Sequence, residues 1–345
     1  MKKSKKKASK IFWFVLVSLL AVCLIGFAIF LYFHGNTKPY TVPAKVHEAI
    51  VAQKVDKGEN EVRVMSSNLL VSYPSWHGSG SKKVREVSAK PRAKIYFDVL
   101  ETYQPDVVGI QELCDMWYNC ILRNDLGYKF VFPVSTAFNL NMTSMIYNSN
   151  TTDLLEKGQF AYTQKDNTRL RRVVWALFKD KATKKQYIVT STHFSLIRSD
   201  KEASLKIMES QMDEFLAYSN ELKEKYNVPI FHTGDYNSIN NSENWTELYY
   251  DYSAESLAKL DADAVIIDQA PSIYIDIVKT LTDAKLSAEE FDAVGTTTID
   301  SPAYDHIFLN NDVPIRRYVT ISDPVMYKMS DHFSIFVDAD LVAEA

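Results

Sequence analysis

Cysteine and glycine are scarce in this chain of 345 residues, which has 3 Cys and 10 Gly. With so few glycines, no low-complexity run after residue 10 and no internal repeat, a fibrous or linker-like protein is excluded. Cys23 lies inside an apolar run, so Cys114 and Cys120 are the only other cysteines, and an oxidising compartment would permit a bridge between them. Side chains six residues apart face well apart on one straight helix, so a bridge would need a turn between them. Two unpaired thiols are the plainer expectation. Excess positive charge is missing too, with a formal net charge of −4.

What the chain does have is apolar and aromatic mass: 46% hydrophobic residues, 20 Tyr and 18 Phe, enough to bury a sizeable core. Its amino terminus is a different material. Residues 1–10 carry six Lys, and Ile11 to Phe33 is an uncharged, almost wholly apolar run of 23 residues. As a helix that run spans about 34 Å, enough to cross a bilayer. A secretory signal peptide would have a shorter apolar stretch and a small-residue cleavage site, and neither occurs before His34. The expectation is an uncleaved anchor, with the lysines kept in the cytoplasm and everything after Phe33 outside.

Setting those lysines apart leaves about −10 for the part beyond the anchor, because 11–33 carries no charge. A broad basic surface tracking phosphates is therefore not expected, although a small positive cleft or a bound metal would still accept an anionic substrate.

Residues 34–60 mix Pro39, Pro43, Gly58 and charged side chains without clear periodicity, as in a stalk. From Glu61 short apolar runs alternate with helix-like stretches, the rhythm of layered sheets and helices. The organisation read from this is a basic tail over 1–10, an anchor over 11–33, a stalk over 34–60 and a body over 61–345. Strand-like runs cover Val62 to Asn68, Val107 to Gln111, Met142 to Tyr147, Val173 to Phe178, Tyr187 to Thr192, Pro229 to Thr233, His306 to Leu309 and Phe333 to Val337. Helical spacing marks Arg92 to Tyr103 and Asp200 to Tyr226. Ser72 to Lys90 and Ser238 to Gly295 read as sites of substrate-specific insertion.

Residues able to hold a hard metal or move a proton stand repeatedly at the ends of strand-like runs. Asn68 ends one, Glu112 and His193 follow others, Asp235 and Asn237 follow Ile230 to Gly234, Asp305 opens the run at His306, and Asp331-His332 precedes Phe333. Strand ends converge in a layered sheet, so these side chains can line one cleft. Taken singly, each has an ordinary explanation. Asn68 would start a turn, Glu112 would be a solvated strand end, the two histidines would be structural, and Gly234-Asp235-Tyr236-Asn237 has the composition of a turn.

As an ordered set, Ser-Ser-Asn68, Gly-Ile-Gln-Glu112, Ser-Thr-His193, Gly-Asp235-Tyr-Asn237, Tyr-Asp305-His-Ile and Ser-Asp331-His332 resemble the endonuclease/exonuclease/phosphatase superfamily from about Val62 to about Val337. The resemblance implies an α/β fold, a four-layered α/β/β/α sandwich of two mixed β-sheets, here preceded by one transmembrane helix. It also implies that Glu112 holds Mg²⁺, or Mn²⁺, assisted by Asn68 and by Asp331 directly or through water. Asp235 and Asn237 would orient and activate the attacking water, His332 with Asp305 as its carboxylate partner would contact the scissile phosphate, and His193 would stabilise the phosphate or protonate the leaving oxygen. Either Asp235 or His332 would serve as general base. The repair-enzyme branch of that group places a Tyr on the phosphate where this chain has Phe194-Ser195-Leu196-Ile197-Arg198, which disfavours an abasic-site nuclease.

Mg²⁺ prefers oxygen ligands and keeps several waters, so one or two carboxylates plus an amide suffice. The expected activity is metal-dependent phosphoester hydrolysis outside the cell membrane, with a nucleic acid as first substrate and a phospholipid or inositol-phosphate head group as second. A surface binding module that kept the fold without the chemistry is the third reading. No obligate protein partner is expected.

Overall fold

The computed structural model describes residues 10, 12–26, 42–52, 54–72, 89–132, 143–166, 169–196, 198–237, 304–309, 313 and 315–342. The chain divides into two compact units, Met1–Thr41 and Val42–Ala345. In the first, residues 12–26 are helical and Phe14, Leu19, Val22 and Ile25 are exposed. Among the described residues no helix is long and apolar enough to cross a membrane. Residues 27–33 of the expected span lie outside the described residues, as do most of the two stretches read as insertions.

The second unit is built on two mixed sheets. Its strands are β1 (Glu61–Asn68), β2 (Val107–Gln111), β3 (Tyr128–Phe130), β4 (Ser144–Asn148), β5 (Thr152–Asp166), β6 (Arg169–Asp180), β7 (Gln186–His193), β8 (Ile230–Asp235), β9 (Asp305–Leu309), β10 (Ile315–Thr320) and β11 (Ile335–Asp340). One sheet has the order β10-β11-β1-β2-β4-β3 and the other β5-β6-β7-β8-β9. Each contains one parallel pair, β1 with β2 and β7 with β8. A parallel pair needs a long crossover, and each has a helix in it: α2 (Ala89–Tyr103) between β1 and β2, α4 (Lys201–Tyr226) between β7 and β8. Asp200 caps α4 by accepting from the Ala203 amide at 3.0 Å, and Asn227 ends it in the left-handed conformation.

Three apolar clusters define the layers. Val62, Val64, Val107, Val189, Phe231, Ile307 and Val337 meet between the sheets. On the outer face of the first sheet, Met65, Val108, Ile110 and Phe336 are covered by α1 (Ala44–Ala52), α2 and α3 (Asp115–Leu122), which contribute Val46, Ile50, Tyr96, Val99 and Trp117. Leu222 of α4 covers Trp175, Ile188 and Ile230 on the outer face of the second. Fully burying one such side chain is worth roughly 1.5–3 kcal/mol, so the order of layers helix, sheet, sheet, helix follows from alternation along each strand.

Gly109 of β2 marks a place where the sheets nearly touch, because a Cβ there would lie 1.8 Å from Thr233 Oγ1 of β8. At the far end of the sandwich Arg63 donates to Asp338 at 2.7 and 2.8 Å, and buried Asp106 accepts from the Arg63 amide and from Lys57.

All the strand-like runs fall on strands, with ends shifted by a few residues. Unforeseen were β3, β5, β10 and α3. In β5 the charges and register shifts of an edge strand hide the alternation, a common protection of sheet edges. The region read as a stalk over 34–60 also differs, since Ala44–Ala52 forms α1. Val46 and Ile50 are buried there, and Tyr103 donates to the Ile50 carbonyl at 3.0 Å. Cys114 and Cys120 are free thiols at the start and within α3.

Candidate active site

On five strands the row of side chains facing the partner sheet starts apolar and turns polar toward the same end. In β1 it reads Val62, Val64, Ser66, Asn68, in β7 Tyr187, Val189, Ser191, His193, and in β8 Phe231, Thr233, Asp235. In β2 it runs Val107, Gly109, Gln111, and in antiparallel β9 it runs backwards from Leu309 through Ile307 to Asp305. The registers then bring the polar ends level. His193 lies beside Asp235, Asp235 beside Asp305, and Asn68 beside Gln111.

Asp235 is the hub. Its Oδ2 accepts from Asn68 Nδ2 at 2.8 Å and lies 3.4 Å from His193 Nε2 and 4.0 Å from His332 Nε2. Its Oδ1 accepts from the Asn237 amide at 2.8 Å. Asn237 has φ of 52° and sends its own Nδ2 to the Phe194 carbonyl at 2.8 Å, which ties β8 to the end of β7. His332 Nδ1 lies 2.7 Å from Asp305 Oδ2. His332 Nε2 faces both Asp235 and Asp331, each at 4.0 Å.

The electrostatics follow from burial and charge. Burial pushes the Asp235 carboxyl up to about 7, helped by the nearby Asp305 charge and opposed by His332, the Asn237 amide and Asn68. Burial works the other way on His332, but Asp305, through charge and hydrogen bond, outweighs it with help from Asp235 and Asp331 and holds the imidazole well above its ordinary value. The site thus pairs an imidazolium with a carboxyl that exchanges its proton near neutral pH.

Glu112 sits just past β2 with φ of 56°, and its Oε2 accepts from the Val71 amide at 2.9 Å. Asn68 Oδ1 accepts from the Leu70 amide at 3.0 Å. Glu112 is therefore joined to His332 through the turn after β1, Asn68 and Asp235, and all the residues expected at the site meet at one end of the sandwich. Asp235, Asp305 and His332 also bring one ligand atom each within 4.8 Å of one another.

Compared by sequence, the chain matches no family model and no curated protein. Compared by structure, it is similar to proteins of the endonuclease/exonuclease/phosphatase family. A mannosyl-6-phosphatase of Bacteroides thetaiotaomicron superposes with a TM-score of 0.54 at 16% identity, covering 81% of this chain and 99% of that one. The human Nocturnin catalytic domain with bound sulfate gives 0.55 at 19%, covering 84% and 98%. D. rerio TDP2 complexed with a single-strand DNA product gives 0.53 at 14%, covering 81% and 98%. At such identities the likeness establishes the fold.

Some residues of the site escaped the sequence reading. Ser330 Oγ donates to the Asn68 carbonyl at 2.7 Å and accepts from the His332 amide at 3.1 Å, so it locks β1 to the His332 segment. Ser67 and Ser334 pair their hydroxyls at 2.8 Å across β1 and the approach to β11. A serine beside Asn68 and another beside Asp331 were the available signals. Arg198, in the segment that stands where the repair-enzyme branch carries its Tyr, is exposed, and its amide donates to Ser204 Oγ in the first turn of α4.

Proposed function

We propose that this protein hydrolyses phosphate esters with the help of a divalent cation, Mg²⁺ or Mn²⁺. The observation that carries this reading is the polar cluster in which Asp235 faces Asn68, His193 and His332 at one end of the sandwich. Glu112, Asn68 and Asp331 would hold the cation. The donor set fits a hard ion: carboxylate and amide oxygens only, with Glu112 Oε1 making no hydrogen bond among the described residues. Bound there, the cation would supply charge neutralisation at the phosphate oxygens.

The protein's own groups have separable tasks in this reading. Asp235, held by Asn68 and the Asn237 amide, orients water and accepts its proton at Oδ2, which suits a carboxyl with a pKa near 7. His332, kept cationic by Asp305, donates to a phosphate oxygen, and His193 stabilises the phosphate or protonates the leaving oxygen. Membership of Asp235, Asp305 and His332 in one tight cluster also suits a cation there. The 2.7 Å bond from His332 to Asp305 favours the proton-handling role instead.

A nucleic acid is the substrate we favour, supported by the fold shared with TDP2 and its DNA product. Hydrolysis of a phospholipid or inositol-phosphate head group is the second reading, motivated by the exposed apolar helix over residues 12–26. That helix, the basic tail before it and the length of the apolar run support a single-pass anchor with the catalytic unit outside the cell. Alkaline extraction and protease accessibility of intact cells test that placement.

The activity is tested on a fragment starting at Val42, so that α1 is kept, incubated with Mg²⁺ and single-stranded DNA, RNA, sphingomyelin, phosphoinositides or sugar phosphates. Turnover of lipid alone would defeat the nucleic-acid reading. No turnover of any ester and no Mn²⁺ binding would defeat the enzymatic one.

A further inference from the structure

Two segments distant in sequence carry one side of the site each: the turn after β1, which holds Asn68 and Glu112, and the turn that leads from Met329 to His332. One buried side chain holds both. Arg92, in the first turn of α2, donates from its guanidinium to the carbonyls of Leu69 and Leu70, the latter at 2.6 Å, and from Nε to the carbonyl of Met329 at 2.6 Å. Trp117 of α3 backs it, with the guanidinium carbon 5.0 Å from the ring centroid and the indole nitrogen donating to the Leu70 carbonyl at 3.1 Å.

The turn clamped in this way is unusual. Leu70 has φ of 50°, a left-handed conformation that a leucine adopts only under constraint. The consequence of that conformation is visible next to it. The Leu70 amide donates to Asn68 Oδ1, which leaves Asn68 Nδ2 for Asp235, and the Val71 amide donates to Glu112 Oε2. On the other side Met329 is followed by Ser330, whose hydroxyl binds the Asn68 carbonyl and receives the His332 amide.

We infer that Arg92 is a positioning residue that sets the spacing between the Asn68–Glu112 side and the Asp331–His332 side of the site. A guanidinium suits the task because its fixed planar fork donates in several directions at once, whereas a lysine offers a point charge on a flexible stem. Burying so polar a group merely to fill space would be unfavourable, and an aliphatic side chain would fill it better. Arg92 touches no reacting group in this scheme. It acts through the carbonyls it holds.

The inference rests on the proposed metal site, and the experiment separates the two. In the full-length protein, Mn²⁺ affinity is measured by electron paramagnetic resonance for wild type, Arg92→Lys, Arg92→Met and Trp117→Phe. The downfield proton resonance of the His332–Asp305 hydrogen bond is recorded in the metal-free proteins. Arg92→Met is expected to weaken Mn²⁺ binding about tenfold or more and to shift or broaden that resonance, as outer partners of a metal site do when removed. Arg92→Lys should fall between it and wild type, and Trp117→Phe should lose less. Asp338→Asn at the opposite end serves as control: it should lower thermal stability and leave Mn²⁺ affinity and the resonance unchanged. If both Arg92 variants bind Mn²⁺ like wild type with an unaltered resonance, the inference is overturned. Should Arg92→Met not fold, Arg92→Lys decides by the same readouts. If wild type itself binds no Mn²⁺, the metal site fails, and the resonance in Arg92→Lys still decides the positioning role.

Discussion

Asp305, fully buried at the head of β9, holds His332 Nδ1 at 2.7 Å from its Oδ2, so a carboxylate of one sheet fixes the imidazole carried by the approach to β11 in the other. The contact spans the two sheets and fixes the orientation of the ring, with Nε2 turned toward Asp235 and Asp331. Acid–base groups need that kind of fixed orientation before their pKa values matter.

Asp305→Asn tests it most directly. Removing the charge takes away the main influence that raises the His332 pKa, which is expected to fall toward the ordinary histidine range. Turnover of the best phosphodiester substrate should drop about a hundredfold or more, as when proton-transfer groups lose their partner. Histidine-resolved NMR titration and steady-state kinetics measure both, and an unmoved His332 titration would refute the pairing.

Glu112→Gln keeps an acceptor for the Val71 amide and removes the charge. Mn²⁺ or Mg²⁺ affinity should fall about tenfold or more while thermal stability stays close to wild type. Calorimetric titration reads the affinity, and a cation bound as tightly as before would place the metal elsewhere.

His232 predicts a pH dependence of stability away from the proposed chemistry. It is buried between Thr190 and Ser219 hydroxyls at 3.0 and 2.9 Å, and burial lowers its pKa from 6.5 to about 3. The unfolded chain therefore binds a proton that the folded one refuses. The stability present above pH 6.5 is lost as pH falls through that interval toward about 3, on the order of a few kcal/mol in all. Urea unfolding of wild type and His232→Gln should converge or cross as pH falls from 7 to 4, and parallel curves would contradict the assignment.

Gly109→Ala places a methyl group 1.8 Å from Thr233 Oγ1, deep between the sheets. Overpacking of this kind costs about 1–3 kcal/mol or more. Thr233→Ala in the same chain should restore part of the loss, and a lone Gly109→Ala as stable as wild type in thermal unfolding would contradict this close approach of the sheets.

Strands of β-branched and aromatic residues were easy to read, because β1, β2, β7 and β8 are buried on both faces and need little help from context. The polar edge strand β5, three-residue β3 and α1 were not. The burial of α1 depends on Tyr103 and on the outer face of a sheet formed much later in the chain. Likewise Asn68, Glu112, His193, Asp235, Asp305 and His332 were recognisable as chemistry-bearing residues at strand ends. Nothing in their spacing revealed Arg92, which lies inside a helix pattern and acts through backbone carbonyls that carry no mark in a sequence.

The sequence by itself determined which residue types stand where each strand stops, because side-chain chemistry and a two-residue alternation are local properties. It determined the apolar amino-terminal run for the same reason. Only the tertiary structure decided that Asp235 faces Asn68 rather than solvent, that Asp305 meets His332, and that Leu70 is held in a left-handed turn. Those relations depend on the register between strands and on the approach of the two sheets, which distant parts of the chain set jointly and no single segment encodes.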